Sequence, residues 1–402
     1  MPRSQERPLA FIDLEAQQRR LGDRVERYLG RVFQHKKYIM GPEVRELEDT
    51  LAGRIGVKHV VTCSSGTDAL LLPLLAWGIG PGDAVFVPSF TFTATAEVVA
   101  LLGATPVFCD VEPDTYNLCA QSVRQAIEAE ARSGGLRIRA IIPVDLFGQP
   151  ASYPALEALA AQYGLQVLAD AAQSLGAHLD STPVGQFGQA TATSFFPAKP
   201  LGCYGDGGAV FTNDSGLAEV MRSLRVHGKG VDKYDTVRVG LNARLDTMQA
   251  AVLLAKLEIF DEELVKRDEV ARRYSEALAG LVRVPGLPSD RTSTWAQYTI
   301  RVEERDRIGQ GLREAGIPTA VYYPRPLHEQ PAFSPVAVAP SGCDVSSSLS
   351  RCVLSLPMHP YLEREDQRRI IERLAGLLTE DEPKPDPDRE GMSGQSCPST
   401  KT

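Results

Sequence analysis

Lys199 lies five residues after the hydroxyl residue Ser194, within Thr193-Ser-Phe-Phe-Pro-Ala-Lys-Pro-Leu-Gly-Cys-Tyr-Gly-Asp-Gly-Gly208, between an apolar run and a glycine-rich turn. An amine in such a place is desolvated, stays partly neutral and can form a Schiff base. Asp170 ends the apolar run Leu165-Gln-Val-Leu-Ala169, and Ser64-Ser-Gly-Thr67 opens a helical pattern. A nucleophilic amine, an acid at a strand end and a hydroxyl-rich helix start together fit a pyridoxal phosphate site. The amine holds the aldehyde, the acid keeps the ring nitrogen protonated so that the ring takes up electrons, and the helix start receives the phosphate. Taken singly, each feature has a plainer reading: a surface lysine in a loop, an aspartate capping a helix, an ordinary capped helix start.

Further side chains join these three. Gln173, three residues after Asp170, is placed to hydrogen-bond the ring hydroxyl, and Ser194 to add a hydroxyl to the phosphate cradle. In Pro88-Ser-Phe-Thr-Phe-Thr93, Phe92 is the expected ring platform and Phe90 the expected core residue. Asn242 and Arg244 precede a long helical stretch. They either cap it or reach a phosphate and an anionic substrate group, and an arginine near a helix N-terminus favours the second reading. Tyr323, Arg325 and His328 belong to a Pro-rich stretch that serves either as a substrate contact or as a structural crossing. No two of the six histidines stand four residues apart and no cysteine pair has metal-ligand spacing, so no metal site is expected.

The elements that must carry these residues alternate. Short apolar strands are expected at 59–63, 84–87, 105–109, 139–144, 166–169, 191–196 and 208–212, with amphipathic helices over 42–55, 67–77, 92–102, 120–131, 154–163 and 216–225. That is the pattern of an α/β fold with a mostly parallel, seven-stranded sheet covered on both faces, whose ligands bind at the carboxyl ends of the strands. The stretch 245–281 reads as one long bridging helix. Beyond Pro285 a strand at 297–302, a helix at 306–315 and a last helix at 363–378 suit a smaller α+β domain. The expected organisation is a segment 1–30, a large domain 31–260, a small domain 261–379 and a disordered polar tail 380–402. The chain has 402 residues, a net charge of -8 and no basic run, which argues against nucleic acid and anionic membranes as partners. Seven scattered cysteines and the lack of an apolar N-terminal stretch suggest a reduced, cytoplasmic protein.

The ordered motifs Phe11-Ile-Asp-Leu, Gly41-Pro-Glu-Val, Ser65-Gly-Thr-Asp-Ala-Leu, Asp170-Ala-Ala-Gln, Ser194 to Gly208, Asn242-Ala-Arg-Leu and Leu356-Pro-Met-His-Pro resemble those of the DegT/DnrJ/EryC1/StrS sugar aminotransferases, fold-type I pyridoxal phosphate enzymes. The resemblance implies that Lys199 carries the cofactor and moves the proton. It also implies that Asp170 pairs the ring nitrogen, Gln173 contacts the ring oxygen, Gly66, Thr67 and Ser194 hold the phosphate, and Phe92 stacks on the ring. It further implies a homodimer with shared sites, in which Asn242 reaches the phosphate of the neighbouring subunit. Phe196 to Gly208 and Val231 to Gly240 are most similar to the UDP-2-acetamido-2-deoxy-3-oxo-glucuronate aminotransferases, which implies glutamate as amino donor, a UDP-linked keto sugar as acceptor and a role in surface polysaccharide. Tyr322 departs from the histidine that many relatives carry before Tyr-Pro. Other keto sugars, linked to UDP or dTDP and aminated at C3 or C4, are alternatives, as is a non-catalytic cofactor-binding sensor. Relatives that perform deoxygenation replace the lysine by histidine, which this chain does not.

Overall fold

The computed structural model describes residues 9–379 apart from 233 and 336, so the expected tail 380–402 lies outside the described residues. Its strands are β1 (His59–Cys63), β2 (Asp83–Pro88), β3 (Thr105–Cys109), β4 (Arg137–Ile141), β5 (Gln166–Asp170), β6 (His178–Leu179), β7 (Thr182–Pro183), β8 (Ala190–Ser194), β9 (Gly208–Thr212), β10 (Tyr298–Arg301), β11 (Ala337–Val338) and β12 (Val353–Leu356). Eight of them form one sheet in the order β1-β9-β8-β5-β4-β2-β3-β11. Only β9 runs against its neighbours: it is antiparallel to β1 and to β8, while the remaining pairs are parallel.

Sheet strands buried on both faces read as continuous apolar runs, and alternate residues divide between two cores. In β2, Val85 and Val87 pack with helices Gly66–Ala76, Ala94–Leu101 and Ser215–Leu224, whereas Ala84 and Phe86 face helices Ala120–Ser133 and Tyr153–Tyr163. A third cluster joins Val60, Ala209 and Phe211 to helices Pro42–Ile55 and Thr247–Leu257. The four residues Ala84 to Val87 have no solvent exposure. Burying each of the larger three, Val85, Phe86 and Val87, contributes about 1.5–3 kcal/mol.

Two expectations need correction. The sheet has eight strands, not seven, because two residues of the Pro-rich region, Ala337 and Val338, pair in parallel with Val107 and Phe108 at the edge. Two residues are too few to leave a periodic pattern in the sequence. The stretch 245–281 is two helices, Thr247–Leu257 and Phe260–Leu278, broken at Glu258 and Ile259. Composition alone does not show the break, since both halves are rich in good helix formers. Past it, β10 and β12 pair antiparallel and pack with helices Phe260–Leu278, Arg305–Glu314 and Arg364–Thr379 around Tyr274, Tyr298, Ile300 and Leu354. Strand β12 and the helix Asp344–Cys352 before it have no counterpart in the sequence reading. Two helices, Leu14–Leu21 and Arg24–His35, precede Pro42, and the second packs on Thr247–Leu257.

Candidate active site

The chemistry-bearing residues gather at the carboxyl ends of β1, β2, β5 and β8. Asp170 is the last residue of β5 and is 4% exposed. Its Oδ2 accepts a hydrogen bond of 2.9 Å from Thr95 Oγ1, and its Oδ1 one of 3.2 Å from the Ala172 N–H. Burial raises its pKa, and the Thr95 hydroxyl, the Ala172 amide and the Lys199 ammonium oppose the rise. Burial lowers the pKa of the Lys199 amine, and the Asp170 carboxylate opposes that. The two groups are therefore close enough to act on each other's charge, and the amine is held nearer to its neutral, nucleophilic form.

Lys199 is mounted on the connection between the antiparallel neighbours β8 and β9. The Phe195 N–H donates to the Gly207 carbonyl at 2.8 Å, the Cys203 N–H to the Phe195 carbonyl at 2.8 Å, and the Lys199 N–H to the Phe196 carbonyl at 2.9 Å. Glycines permit this path. A Cβ on Gly202 would lie 2.6 Å from the Phe196 and Pro197 carbonyl oxygens, and one on Gly208 2.3 Å from the Ser65 carbonyl oxygen.

The helix Gly66–Ala76 starts directly beyond β1. Ser65 caps it, accepting from the Asp68 N–H at 3.0 Å, and the amides of Gly66 and Thr67 have no acceptor one turn earlier. Ser194, at the end of β8, lies against this first turn, where a Cβ on Gly66 would meet Ser194 Cβ at 2.6 Å and Oγ at 2.9 Å. Free amides, a helix dipole and a serine hydroxyl so closely apposed form a cradle for a dianion.

Gln173 is buried and bonded at both ends of its amide: Oε1 accepts from the Phe147 N–H at 2.6 Å, and Nε2 donates to the Tyr323 hydroxyl at 3.5 Å. Phe90 is in the core, as its neighbours suggest, whereas Phe92 is 56% exposed with its ring 6.3 Å from that of Tyr323. Tyr323 also meets Phe90 edge-on at 6.1 Å, so the Pro-rich crossing brings this phenol to the site. His328 stands beside it in sequence but is bonded elsewhere, with Nδ1 2.5 Å from Ser89 Oγ and Nε2 3.4 Å from Ser347 Oγ. Arg325 is exposed.

Asn242 is exposed and forms a bridge with Val226. Arg244 is partly buried, and its Nε is buried without a hydrogen-bond partner. Behind the cradle, Arg225 is 4% exposed and donates from Nη1 to Glu48 Oε1 at 2.6 Å and to the Thr62 carbonyl at 2.8 Å. Through its own carbonyl it receives the Ala243 N–H at 3.0 Å, tying the 242–244 segment to β1.

Thr95 and Arg225 escaped the sequence reading. Thr95 sits among apolar residues of a short helix, 75 positions from its acid. A hydroxyl between Ala94 and Ala96, on the helix that follows Phe92, was the signal available. Among the described residues, no group of three metal-ligating side chains exists and no helix is long and apolar enough to cross a membrane.

Residues 20–375 match the DegT/DnrJ/EryC1/StrS aminotransferase family. The chain is 48% identical over 356 residues to the UDP-2-acetamido-2-deoxy-3-oxo-D-glucuronate aminotransferase of Pseudomonas aeruginosa, spanning 88% of this chain and 96% of that protein. A crystal structure of a DegT DnrJ EryC1 StrS aminotransferase from Brucella abortus superposes with a TM-score of 0.91 at 54% identity, covering 92% of this chain and all of that one. S. venezuelae DesV, solved in complex with a ketimine intermediate, superposes with a TM-score of 0.87 at 39% identity, covering 92% and 99% of the two chains. With the family's motifs present in order and its fold reproduced over nearly the whole described chain, the protein belongs to the DegT/DnrJ/EryC1/StrS aminotransferases.

Proposed function

We propose that the protein is a pyridoxal phosphate-dependent aminotransferase that moves the amino group of glutamate to the C3 keto group of UDP-2-acetamido-2-deoxy-3-oxo-glucuronate. The observation that carries the reading is the partly buried Lys199, braced on the β8–β9 connection within charge reach of the buried Asp170 that ends β5. The 48% identity to an aminotransferase of that name supports the choice of acceptor.

The residues fit the cofactor. Gly66 leaves no room for a side chain against Ser194, and the amides of Gly66 and Thr67 are free to bind a phosphate. Pyridoxal phosphate supplies an aldehyde that captures amines and a ring that stores an electron pair. Lys199 Nζ would hold that aldehyde and, as the free amine, would carry a proton between the donor carbon and the cofactor carbon two atoms away. Asp170 holds a proton at the ring nitrogen, and Thr95 and the Ala172 amide fix the carboxylate that does so. Gln173 Nε2 is oriented by the Phe147 amide on its other side, and Phe92 offers an exposed ring face. Arg244, with an unpaired Nε, suits the carboxylate of glutamate or of the uronic acid as a bidentate partner. Tyr323, beside Gln173 and Phe92, suits a substrate contact, and His328, bonded to Ser89 and Ser347, suits a more distant one.

The exposed Asn242, and the exposed apolar Phe33, Tyr38, Ile39 and Met40, support a homodimer in which each subunit completes the other's phosphate site. The activity would serve surface polysaccharide, and the compartment would be the cytoplasm. Protein reconstituted with pyridoxal phosphate should show a visible absorbance band that glutamate bleaches and that the UDP-linked keto-uronic acid restores. Lys199→Ala should lack both the band and turnover. Restoration by a dTDP-linked 4-keto sugar in preference to the UDP-linked 3-keto acid would overturn the assignment of the acceptor. A band that glutamate leaves unchanged would favour a cofactor-binding sensor.

A further inference from the structure

A second carboxylate lies behind Asp170. Asp145 opens the short turn Leu146–Gly148 and has no solvent exposure. Its Oδ1 accepts from the Ala151 N–H at 2.8 Å and from the Tyr153 hydroxyl at 2.7 Å, and its Oδ2 from Ser174 Oγ at 2.6 Å. Its own N–H donates to the Asp170 carbonyl at 3.0 Å. Two residues on, the Phe147 N–H holds Gln173 Oε1 at 2.6 Å. The turn that begins at Asp145 thus grips segment 170–174 at Asp170, Gln173 and Ser174, and two of these three are the ring-facing residues.

Among the described residues, the leading influences on the Asp145 charge include no cation: they are the Ser174 hydroxyl, the Tyr153 phenol from helix Tyr153–Tyr163, the Ala151 amide and the Asp170 carboxylate from β5. Burial and the neighbouring Asp170 charge push the Asp145 carboxyl up to about 7, against its three hydrogen bonds. A buried, unpaired acid is costly. Its three donors do not demand it, because an asparagine could accept from Ala151 and Tyr153 and donate to Ser174. What the acid adds over the amide is a negative charge beside Asp170. A cationic ring nitrogen paired to Asp170 favours the ionised form of both acids, and both in turn favour the proton on that nitrogen.

We propose that Asp145 is a positioning residue for the amino-transfer site: its turn fixes Asp170 and Gln173, and its carboxylate supplies a second negative charge that keeps the cofactor's ring nitrogen protonated. The proposal rests on the pyridoxal phosphate reading given above. The test uses holoprotein loaded with pyridoxal phosphate labelled with ¹⁵N in the ring, whose nitrogen resonance reports protonation from pH 6 to 9. The wild type should remain protonated across that range. In Asp145→Asn the nitrogen should begin to lose its proton within that range, and glutamate bleaching should slow in step with that loss towards pH 9, with little change in KM. Tyr153→Phe keeps the acid but removes one bond to its charge, and should shift the resonance in the same direction by less. It also serves if Asp145→Asn does not fold. Identical ¹⁵N profiles for the wild type and the variants would overturn the proposal. A wild type that forms no Lys199-dependent band would instead overturn the cofactor reading on which it rests.

Discussion

Replacing Gly66 by alanine should damage the phosphate cradle by a route that can be traced atom by atom. The new Cβ would stand 2.6 Å from Ser194 Cβ, 2.9 Å from its Oγ and 3.3 Å from its Cα, where ordinary contact begins at 3.4 Å. A change of rotamer moves only Oγ, so the main chain of β8 or the start of the helix must shift. Overpacking of this kind costs about 1–3 kcal/mol. If the bound phosphate is what holds Gly66, Thr67 and Ser194 in register, the same energy appears as about 5- to 150-fold weaker cofactor binding. Titrating apoprotein with pyridoxal phosphate, read by the visible band, gives the dissociation constant, and urea unfolding gives the stability. Adding Ser194→Gly removes the two side-chain atoms of the clash, so in a double-mutant cycle Gly66→Ala should cost less in the Ser194→Gly background than in the wild type. Adding Ser194→Ala keeps the Cβ contact and should recover nothing. Wild-type affinity and stability in Gly66→Ala would refute the argument, because they would show that β8 and the helix are not apposed as described.

Three further outcomes follow from buried groups. Thr95→Val removes a 2.9 Å hydrogen bond to the buried Asp170 carboxylate. It should cost about 1.5–3 kcal/mol in urea unfolding and slow glutamate bleaching more than it weakens cofactor binding. Arg225→Met leaves the Glu48 carboxylate without its cation, though Oε1 keeps the Thr62 N–H and hydroxyl, and should lose about 3–5 kcal/mol of stability, while a second change, Glu48→Gln, should return part of it. Lys256 is 1% exposed, its Nζ has no hydrogen-bond partner and lies 4.6 Å from the centre of the Tyr204 ring, and burial lowers its pKa to about 8. The folded protein then binds fewer protons at this site than the unfolded chain, so this group's contribution to stability rises as the pH passes from about 8 towards the ordinary lysine value of 10.5. Against Lys256→Met, the wild type should therefore gain about 3 kcal/mol between pH 7 and 10.5 in paired urea titrations, and a pH-independent difference would refute the shift.

The parts of this molecule that could be read from sequence are those encoded locally. The strand ending at Asp170, the glycine-rich path around Lys199 and the capped start at Ser65 each carry their signal within a few residues, and all three lie at the carboxyl edge of the sheet. What stayed hidden depends on pairings between distant segments. Periodicity locates β9 but cannot give its reversed direction, nor the two-residue β11 that closes the far edge. The same limit hid Thr95 behind Asp170, Arg225 behind β1, and Asp145, which looks like an ordinary turn residue until its contacts with 170–174 are seen. The break at Glu258 and Ile259 was hidden for another reason, since intrinsic helix preference is high on both sides of it.

The reversal of β9 bears on how a ligand enters. The lysine rides on the connection between two paired strands, which is braced at its base by the pairs Ser194–Gly208 and Thr193–Ala209 and by the bonds of Phe195 to Gly207 and Cys203. The nucleophile is an anvil rather than a gate. Room for a bulky sugar nucleotide is offered where Phe92 stands half in solvent with the Tyr323 ring beside it. The open aromatic ring thus lies on the side of the site away from the bonds that brace the reacting amine.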